Sequence, residues 1–307
     1  MTAIRFAVVG VGHLGQHHAR ILSAMPGVEL VGVVDIKPGR AEEVAARYGT
    51  ASFTDASGVI GRVDGVCIAT PTVSHVDAAL PFLESGAAVL VEKPMAATVA
   101  DADRLIAAAD ARGVLLGVGH TERFNPAVAG ALSLVSQPRF IEIHRLGTFP
   151  DRSLDVDVVF DLMIHDLDIL LATVGADVAA VEAVGVNVLT PRLDIANARL
   201  RFSSGCIANV TASRISRDRV RKARFFQRDS YISIDYAARE LEVYRLVSSD
   251  GGRPVIQGGR VETSGEEPLR LELTDFVAAI RDRRPPAVTG RDGLAALALA
   301  TRIAEAM

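Results

Sequence analysis

The run Ile4 to Gly10 is apolar and closes on glycine, the pattern of a parallel strand buried on both faces. It leads into Gly10-Val-Gly12-His13-Leu14-Gly15 and then a helical stretch to about Ala24. A second strand, Glu29 to Val34, ends in Asp35. Each glycine has a physical task. Gly10 permits the tight turn, Gly12 lets the backbone approach a pyrophosphate, and Gly15 lets the helix pack close to the strand. The helix N-terminus then faces the phosphates. Asp35 stands 20 residues after Gly15, where a carboxylate can accept from dinucleotide ribose hydroxyls. A glycine triplet alone is a weak signal, but with strand, helix and acid in register it predicts a dinucleotide site. Asp35 repels a 2′-phosphate, which favours NAD over NADP. Lys37 and Arg40 follow closely, either as a counterweight to that preference or as solvated loop charges.

The alternation continues downstream. Strands are expected at Gly65–Ala69, Ala88–Glu92 and Val114–Gly119. Helices are expected at Ser74–Ser85, with Ser74 as its cap, and at Asp101–Arg112. Alternating strands and helices predict a parallel, doubly wound α/β sheet. Ligands gather at the carboxyl ends of such strands, where Thr70, Pro71, Lys93 and His120 lie. Lys93 is notable for another reason. Of 33 basic residues, 30 are arginine and three are lysine: Lys37, Lys93 and Lys222. Lysine is a compact charge whose pKa responds to burial, so Lys93 at a strand end is a candidate for chemistry. A codon bias with chance survivors is the plain alternative.

Past Gly119 the pattern changes. His120-Thr-Glu-Arg-Phe-Asn-Pro126 reads as a crossing between a first domain, 1–120, and a second, 121–307. Strand-like runs follow at 139–147, 179–189, 195–202, 206–213, 222–228 and 230–236, with hairpin turns at 203–205 and 228–230. They predict an open, mainly antiparallel sheet. Residues 248–266 read as a surface loop, and helices are expected over 268–283 and 291–306. Between the strands, Val158 to Leu171 reads as a largely buried helix. Asp161, His165 and Asp168 fall at i, i+4 and i+7 on one helical face. A carboxylate one turn from an imidazole can hold its tautomer and favour its protonated form, as a general base needs. An exposed polar stripe is the bland reading. A metal site ranks lower, and no metal is expected.

The bulk properties exclude several classes. A net charge of -4 gives no global reason for nucleic-acid or membrane binding, and no apolar run reaches membrane-span length. The N-terminus reads straight into a strand, without a secretory leader. Cys67 and Cys206 read as buried, reduced thiols, and a cytoplasmic location is expected.

The glycine loop, Glu92-Lys93-Pro94 and Asp161-x-x-x-His165 together resemble the glucose–fructose oxidoreductase/inositol dehydrogenase/MocA (Gfo/Idh/MocA) family. The likeness spans essentially the whole chain. It includes Leu273-Thr-Asp275-Phe276-x-x-Ala279-Ile280 through Pro286-x-x-x-Gly290-x-Asp292-Gly293. It implies a Rossmann NAD-binding domain followed by an α/β domain for substrate binding and oligomerisation, and a homodimer or homotetramer. Carried over by position, Lys93, Asp161 and His165 are the catalytic group. The loop, the strand ends and the resemblance together give the cofactor set as Gly10, Gly12, His13, Leu14, Gly15, Asp35, Thr70, Pro71, His75, Glu92 and Lys93. Met163 departs from the glycine many members carry, which bears on substrate subgroup.

A narrower likeness, in Gly119-His-Thr-Glu-Arg-Phe-Asn-Pro126 and Asp161-Leu-Met-Ile-His-Asp-Leu-Asp168, is to members that oxidise the 3-hydroxyl of UDP-N-acetylglucosamine to a ketone. It adds Arg123 and Asn125 to the substrate set of Lys93, Asp161 and His165. Residues 214–228 hold Arg214, Arg217, Arg219, Arg221, Lys222, Arg224 and Arg228, opposed by Asp218. A diphosphate needs such donors; a solvated strand edge or a subunit contact needs them equally. The implied activity is oxidation of a sugar or nucleotide-sugar hydroxyl by NAD. A free-sugar or cyclitol dehydrogenase, an NAD-dependent glycosidase and a non-catalytic NAD sensor are the alternatives.

Overall fold

The computed structural model describes residues 2–149, 156–247 and 254–307. The chain forms two compact units: Met1–Thr121 with Leu269–Leu294, and Glu122–Pro268 with Ala295–Met307.

In the first unit six strands lie parallel: β1 (Ile4–Val9), β2 (Val28–Val34), β3 (Ala51–Phe53), β4 (Gly65–Ile68), β5 (Ala88–Glu92) and β6 (Leu116–Gly119). Their order, β3-β2-β1-β4-β5-β6, is the doubly wound order expected, and it reverses between β1 and β4. The connecting helices are α1 (Gly15–Ser23), α2 (Pro38–Tyr48), α3 (His75–Ser85) and α4 (Val99–Arg112). Two elements escaped the sequence reading. Helix α2 buries only Ala41, Val44 and Ala45, too narrow a stripe to stand out, and β3 is three residues long. The expected Ser74 cap is absent: Thr72–Ser74 form a 3₁₀ turn, and the Ser74 side chain makes no capping hydrogen bond. Thr98 caps α4 instead, its Oγ1 accepting from the Asp101 amide at 3.1 Å.

The second unit is a sheet covered by helices. Its elements are α5 (Pro126–Leu132), β7 (Phe140–Leu146), a π-helical turn (Val159–Met163) running into α6 (Ile164–Val174), β8 (Val178–Val186), β9 (Ile195–Phe202), β10 (Ile207–Ser213), β11 (Val220–Phe226), β12 (Ser230–Asp235), β13 (Glu240–Val247) and β14 (Val255–Val261). The strand order is β14-β13-β12-β11-β7-β10-β9-β8. Every neighbouring pair is antiparallel except β7 with β10. The two hairpin turns stand where expected. The loop expected over 248–266 is corrected in part, because Val255–Val261 pairs with β13 as an edge strand. Residues 248–253 lie outside the described set.

Period-2 alternation sends Ile141, Ile143, Ala198, Leu200, Ala223, Phe225, Ile232 and Ile234 to one face, where they join Ile164, Leu167 and Leu170 in one core. The opposite face carries a row of rings, Phe140, Phe226, Tyr231 and Tyr244, with successive centroids 5.6, 5.2 and 6.2 Å apart.

Two helices close the chain, α7 (Pro268–Asp282) and α8 (Gly290–Glu305). Residues 269–294, which a division at 120/121 assigns to the second domain, group with the first unit. The reason is apolar burial. Leu273, Phe276 and Val277 share a core with Phe6 and Leu90, and the Phe276 ring meets Phe6 edge-on at 6.3 Å. Among the described residues no helix is long and apolar enough to cross a membrane.

Candidate active site

The cofactor loop is built by close approach at the sheet's switch point. Gly10 sits at φ +83°, and a Cβ there would lie 2.8 Å from the Ala69 carbonyl and the Thr70 amide. At Gly15 a Cβ would lie 1.8 Å from the Gly10 carbonyl oxygen. At Gly12 nothing lies within 4 Å, so that backbone is open to a ligand. No side chain caps α1, and its first turn holds no acid. That leaves the positive end of the helix for an anion. His13 and the exposed Leu14 complete the loop. Asp35, just after β2, accepts from the Val11 amide through Oδ2 and from the Lys37 amide through Oδ1, both at 3.0 Å. Arg40 donates Nε to the Val11 carbonyl at 2.8 Å and pairs with Glu43. It braces the loop rather than standing as a solvated charge. These features fit a dinucleotide.

The ends of β4 and β5 are tied together by the buried His75. Between two carbonyl oxygens sits His75, with Nε2 2.9 Å from Thr70 and Nδ1 3.0 Å from Pro94. Burial pushes its pKa down, against the pull of those carbonyls and of Glu92. Glu92 is buried too, with Oε1 2.8 Å from His18 Nε2 and Oε2 accepting the Lys93 amide at 3.3 Å. Burial would raise its pKa; the His18 hydrogen bond and nearby His18, Lys93 and His75 hold it below the ordinary range. Lys93 itself is half-buried and joined to Pro94 by a cis peptide. His18 was not anticipated, since a lone histidine on a helix gives no sign of its partner on a distant strand.

In the second unit, Asp161 lies in the π turn and His165 in the first turn of α6, both half-buried. Asp168 does not share their situation. It is buried, and Arg123 grips it with two hydrogen bonds, Nε–Oδ2 at 2.8 Å and Nη2–Oδ1 at 2.5 Å. The three-residue face expected from regular spacing is thus reduced to Asp161 and His165, partly because the π turn breaks the α-helical period. Arg123 is accordingly engaged inside the protein. Asn125 is engaged in the same way: its Oδ1 caps α5 at Ala127, and its Nδ2 donates to the Tyr236 carbonyl at 3.0 Å and to Glu122. It is 3% exposed.

The residue after His165 is the anchor of the helix. Asp166 is fully buried and takes a two-pronged contact from Arg145 of β7, Nε–Oδ2 and Nη2–Oδ1, both 2.8 Å. Arg145 also donates to Glu122 at 3.2 Å and stacks over the Tyr236 ring at 5.0 Å. Burial raises the Asp166 pKa although Arg145 opposes it. Burial opposes the charge on Arg145 as well, but Asp166 and Glu122 outweigh it and raise its pKa. The sequence did carry a signal for this pair. Arg145 sits at an inward position in Ile141-x-Ile143-x-Arg145, where only a paired charge survives. Among the described residues no group of three or more His, Cys, Asp or Glu is placed to hold a metal.

Residues 4–120 match an oxidoreductase family with an NAD-binding Rossmann fold, and residues 135–229 match the GFO/IDH/MocA C-terminal domain. The chain is 38% identical to UDP-N-acetylglucosamine 3-dehydrogenase of Acidithiobacillus ferrooxidans, over 99% of this chain and 98% of that protein. It is 28% identical to scyllo-inositol 2-dehydrogenase (NAD(+)) of Bacillus subtilis, over 94% of this chain and 90% of that one. The solved structure of the A. ferrooxidans enzyme aligns with TM-score 0.93 at 37% identity, covering 100% of this chain and 98% of that chain. Levoglucosan dehydrogenase in complex with NADH and levoglucosan, 20% identical, shares the fold at TM-score 0.89 over 99% and 97% of the two chains. Glycine loop, strand order and full-length likeness lead to one conclusion: the chain belongs to the Gfo/Idh/MocA oxidoreductases, with their NAD-binding Rossmann fold as its first unit.

Proposed function

We propose that this protein oxidises a hydroxyl of a nucleotide sugar to a ketone, the 3-hydroxyl of a UDP-N-acetyl sugar being the first choice. One observation carries the site. Asp161 in the π turn and His165 in the first turn of α6 stand one turn apart, both half-buried, as a carboxylate and the imidazole it orients should. The full-length likeness to UDP-N-acetylglucosamine 3-dehydrogenase supports the substrate.

Gly10, Gly12 and Gly15 shape the pyrophosphate cradle, and Asp35 takes the ribose hydroxyls. His13, Leu14, Thr70, Pro71, His75 and Glu92 line or brace the rest of the cofactor site. When bound, NAD supplies the hydride acceptor. His165 accepts the hydroxyl proton, Asp161 holds the imidazole in its productive tautomer, and Lys93 donates to the oxygen as its negative charge grows. Incubation with UDP-N-acetylglucosamine, other sugar nucleotides, inositols and free sugars, followed by NADH absorbance and product mass, tests this. Oxidation of inositol alone would move the reading to a cyclitol dehydrogenase. Bound NAD with no sugar turned over would leave a sensor, and altered glycosides without net NADH a glycosidase.

The ring row on the second sheet's outer face supports a homodimer or homotetramer formed there, which solution mass measurement tests. Cys67 and Cys206, buried and unbonded, suit the reducing cytoplasm.

A further inference from the structure

Seven basic side chains lie within residues 214–228, and the structure sorts them. Arg214 is buried on Asp194 at 2.9 Å. Lys222 reaches Asp235 at 3.3 Å and Arg224 reaches Glu142 at 2.8 Å, both on the sheet's outer face. Arg228 stands in the hairpin beyond β11, seven residues from Arg221, or roughly 23 Å along an extended strand. Arg217, Arg219 and Arg221 remain, all near the start of β11.

Arg221 is the unusual one. It pairs directly with Arg145 across β7 and β11, in register with Ala223↔Ile143 and Phe225↔Ile141. Directly opposed residues share a face, so Arg221 emerges on the inner face, the side α6 covers. Like charges placed opposite one another destabilise a sheet. Arg145 relieves its share by donating hydrogen bonds to both Asp166 and Glu122. The Arg221 side chain is exposed and, among the described residues, makes no hydrogen bond or ion pair. Partial burial and the charge of Arg145 lower its pKa, with Arg219 adding to the effect, while Glu122 and Asp166 oppose it. A guanidinium remains a cation regardless. Arg219 beside it donates, among the described residues, only to the Thr148 hydroxyl, at 3.2–3.3 Å. The guanidinium thus faces Arg145 on the inner face, near Asp166 and Glu122, which both serve Arg145, and among the described residues no carboxylate pairs with it directly.

We propose that Arg221, supported by Arg219, is the subsite for the diphosphate of a nucleotide-sugar substrate. A planar guanidinium offers paired N–H donors that match phosphate oxygens. An anion there removes the Arg145–Arg221 repulsion, so binding recovers stability the free protein lacks. The inference rests on the sugar-dehydrogenase reading only for the identity of the substrate. The anion site itself follows from strand register and charge.

The test uses the full-length, NAD-loaded protein and measures binding of UDP and of inorganic pyrophosphate by calorimetry. Arg221→Gln is expected to weaken both by about 10- to 100-fold, the loss of a charge-assisted contact. Arg221→Lys should fall between, and Arg228→Gln on the distant hairpin should leave both unchanged. NAD affinity should hold steady in all three, and the thermal midpoint should hold in Arg221→Lys and Arg228→Gln and be no lower in Arg221→Gln, which removes the like charge facing Arg145. If Arg221→Gln misfolds, Arg219→Gln, on an exposed side chain, carries the same expectation at about 3- to 10-fold. UDP and pyrophosphate binding that is absent in the parent protein, or equal in parent and a folded Arg221→Gln, overturns the proposal. Turnover of inositol or free sugars with no UDP binding overturns the subsite and leaves the dehydrogenase intact. UDP binding lost in Arg221→Gln, with no sugar oxidised by the parent, does the reverse.

Discussion

Replacing Arg145 with methionine strands a carboxylate. Asp166 is fully buried and receives two 2.8 Å hydrogen bonds from that guanidinium. Glu122, the second carboxylate on Arg145, is only partly covered at 19% side-chain exposure and can turn to water. The penalty therefore falls mainly on Asp166. Breaking one side of a buried pair costs about 3–5 kcal/mol. For a unit of this size each kcal/mol moves the midpoint about 2–4 °C, so the variant should melt about 6–20 °C lower. The sign with pH follows from linkage. Burial already raises the Asp166 pKa in the folded state, and losing Arg145 raises it further. A folded pKa above the unfolded one contributes stability at low pH that is lost as pH rises through the folded value. The deficit should thus be smaller near about pH 5 than near about pH 8. The double variant Arg145→Met/Asp166→Leu removes both charges and should recover most of the loss, since apolar replacements of a buried pair are often neutral or better. Calorimetry on parent, both singles and the double gives the full cycle. A single variant losing less than about 1 kcal/mol, or a double no better than the worse single, refutes the reasoning. So does a deficit that grows on acidification.

Other outcomes follow from the same geometry. Gly15→Ala places a methyl 1.8 Å from the Gly10 carbonyl, so the loop must open by more than an ångström. NAD affinity measured by calorimetry should drop about 100-fold or more, and a change under about threefold counts against the cradle. His165→Ala should lower kcat by about 10²–10⁴-fold with NAD binding intact, and near-parental turnover removes His165 as the base. Asp194 is buried, which raises its pKa, but the Leu189, Thr190 and Val188 amides and the Thr190 hydroxyl outweigh this and hold it well below the ordinary carboxylate range. A depressed folded pKa contributes stability present above the unfolded value, about 4, and lost as pH falls toward the folded one. Asp194→Asn should therefore flatten the acid limb of a stability–pH curve, and an unchanged limb assigns acid sensitivity elsewhere.

What could be read from sequence was what local backbone geometry dictates. The glycine loop and Asp35 announce themselves because turn, close approach and spacing all fall within some thirty residues. The hairpins at 203–205 and 228–230 did so for the same reason. Strand β14 was hidden by its composition. Gly258 and Gly259 suggest a loop, yet a Cβ at Gly258 would lie 2.0 Å from the Val243 carbonyl, so the glycine serves a tight strand pairing. The acids of α6 were read by helical period alone. Period cannot say that Asp166 and Asp168 each have an arginine waiting, from β7 and from the crossing segment. The internal partners of Arg123 and Asn125, which the likeness placed in the substrate set, were equally hidden, because Asp168 and Tyr236 are 45 and 111 residues away.

The return of 269–294 to the first unit makes the two units inseparable by a single cut. The backbone passes between them three times, after Thr121, Pro268 and Leu294, and the last passage lies inside α8. A fragment ending at 120 would lose the ring that covers Phe6. A fragment ending at 268 would strip Ala296, Leu299, Ala300 and Ile303 from the second core. Exchange of substrate-binding modules between relatives by one crossover would thus leave two unfinished interiors. Recombination in this architecture has to respect three junctions at once, one of them in the middle of a helix.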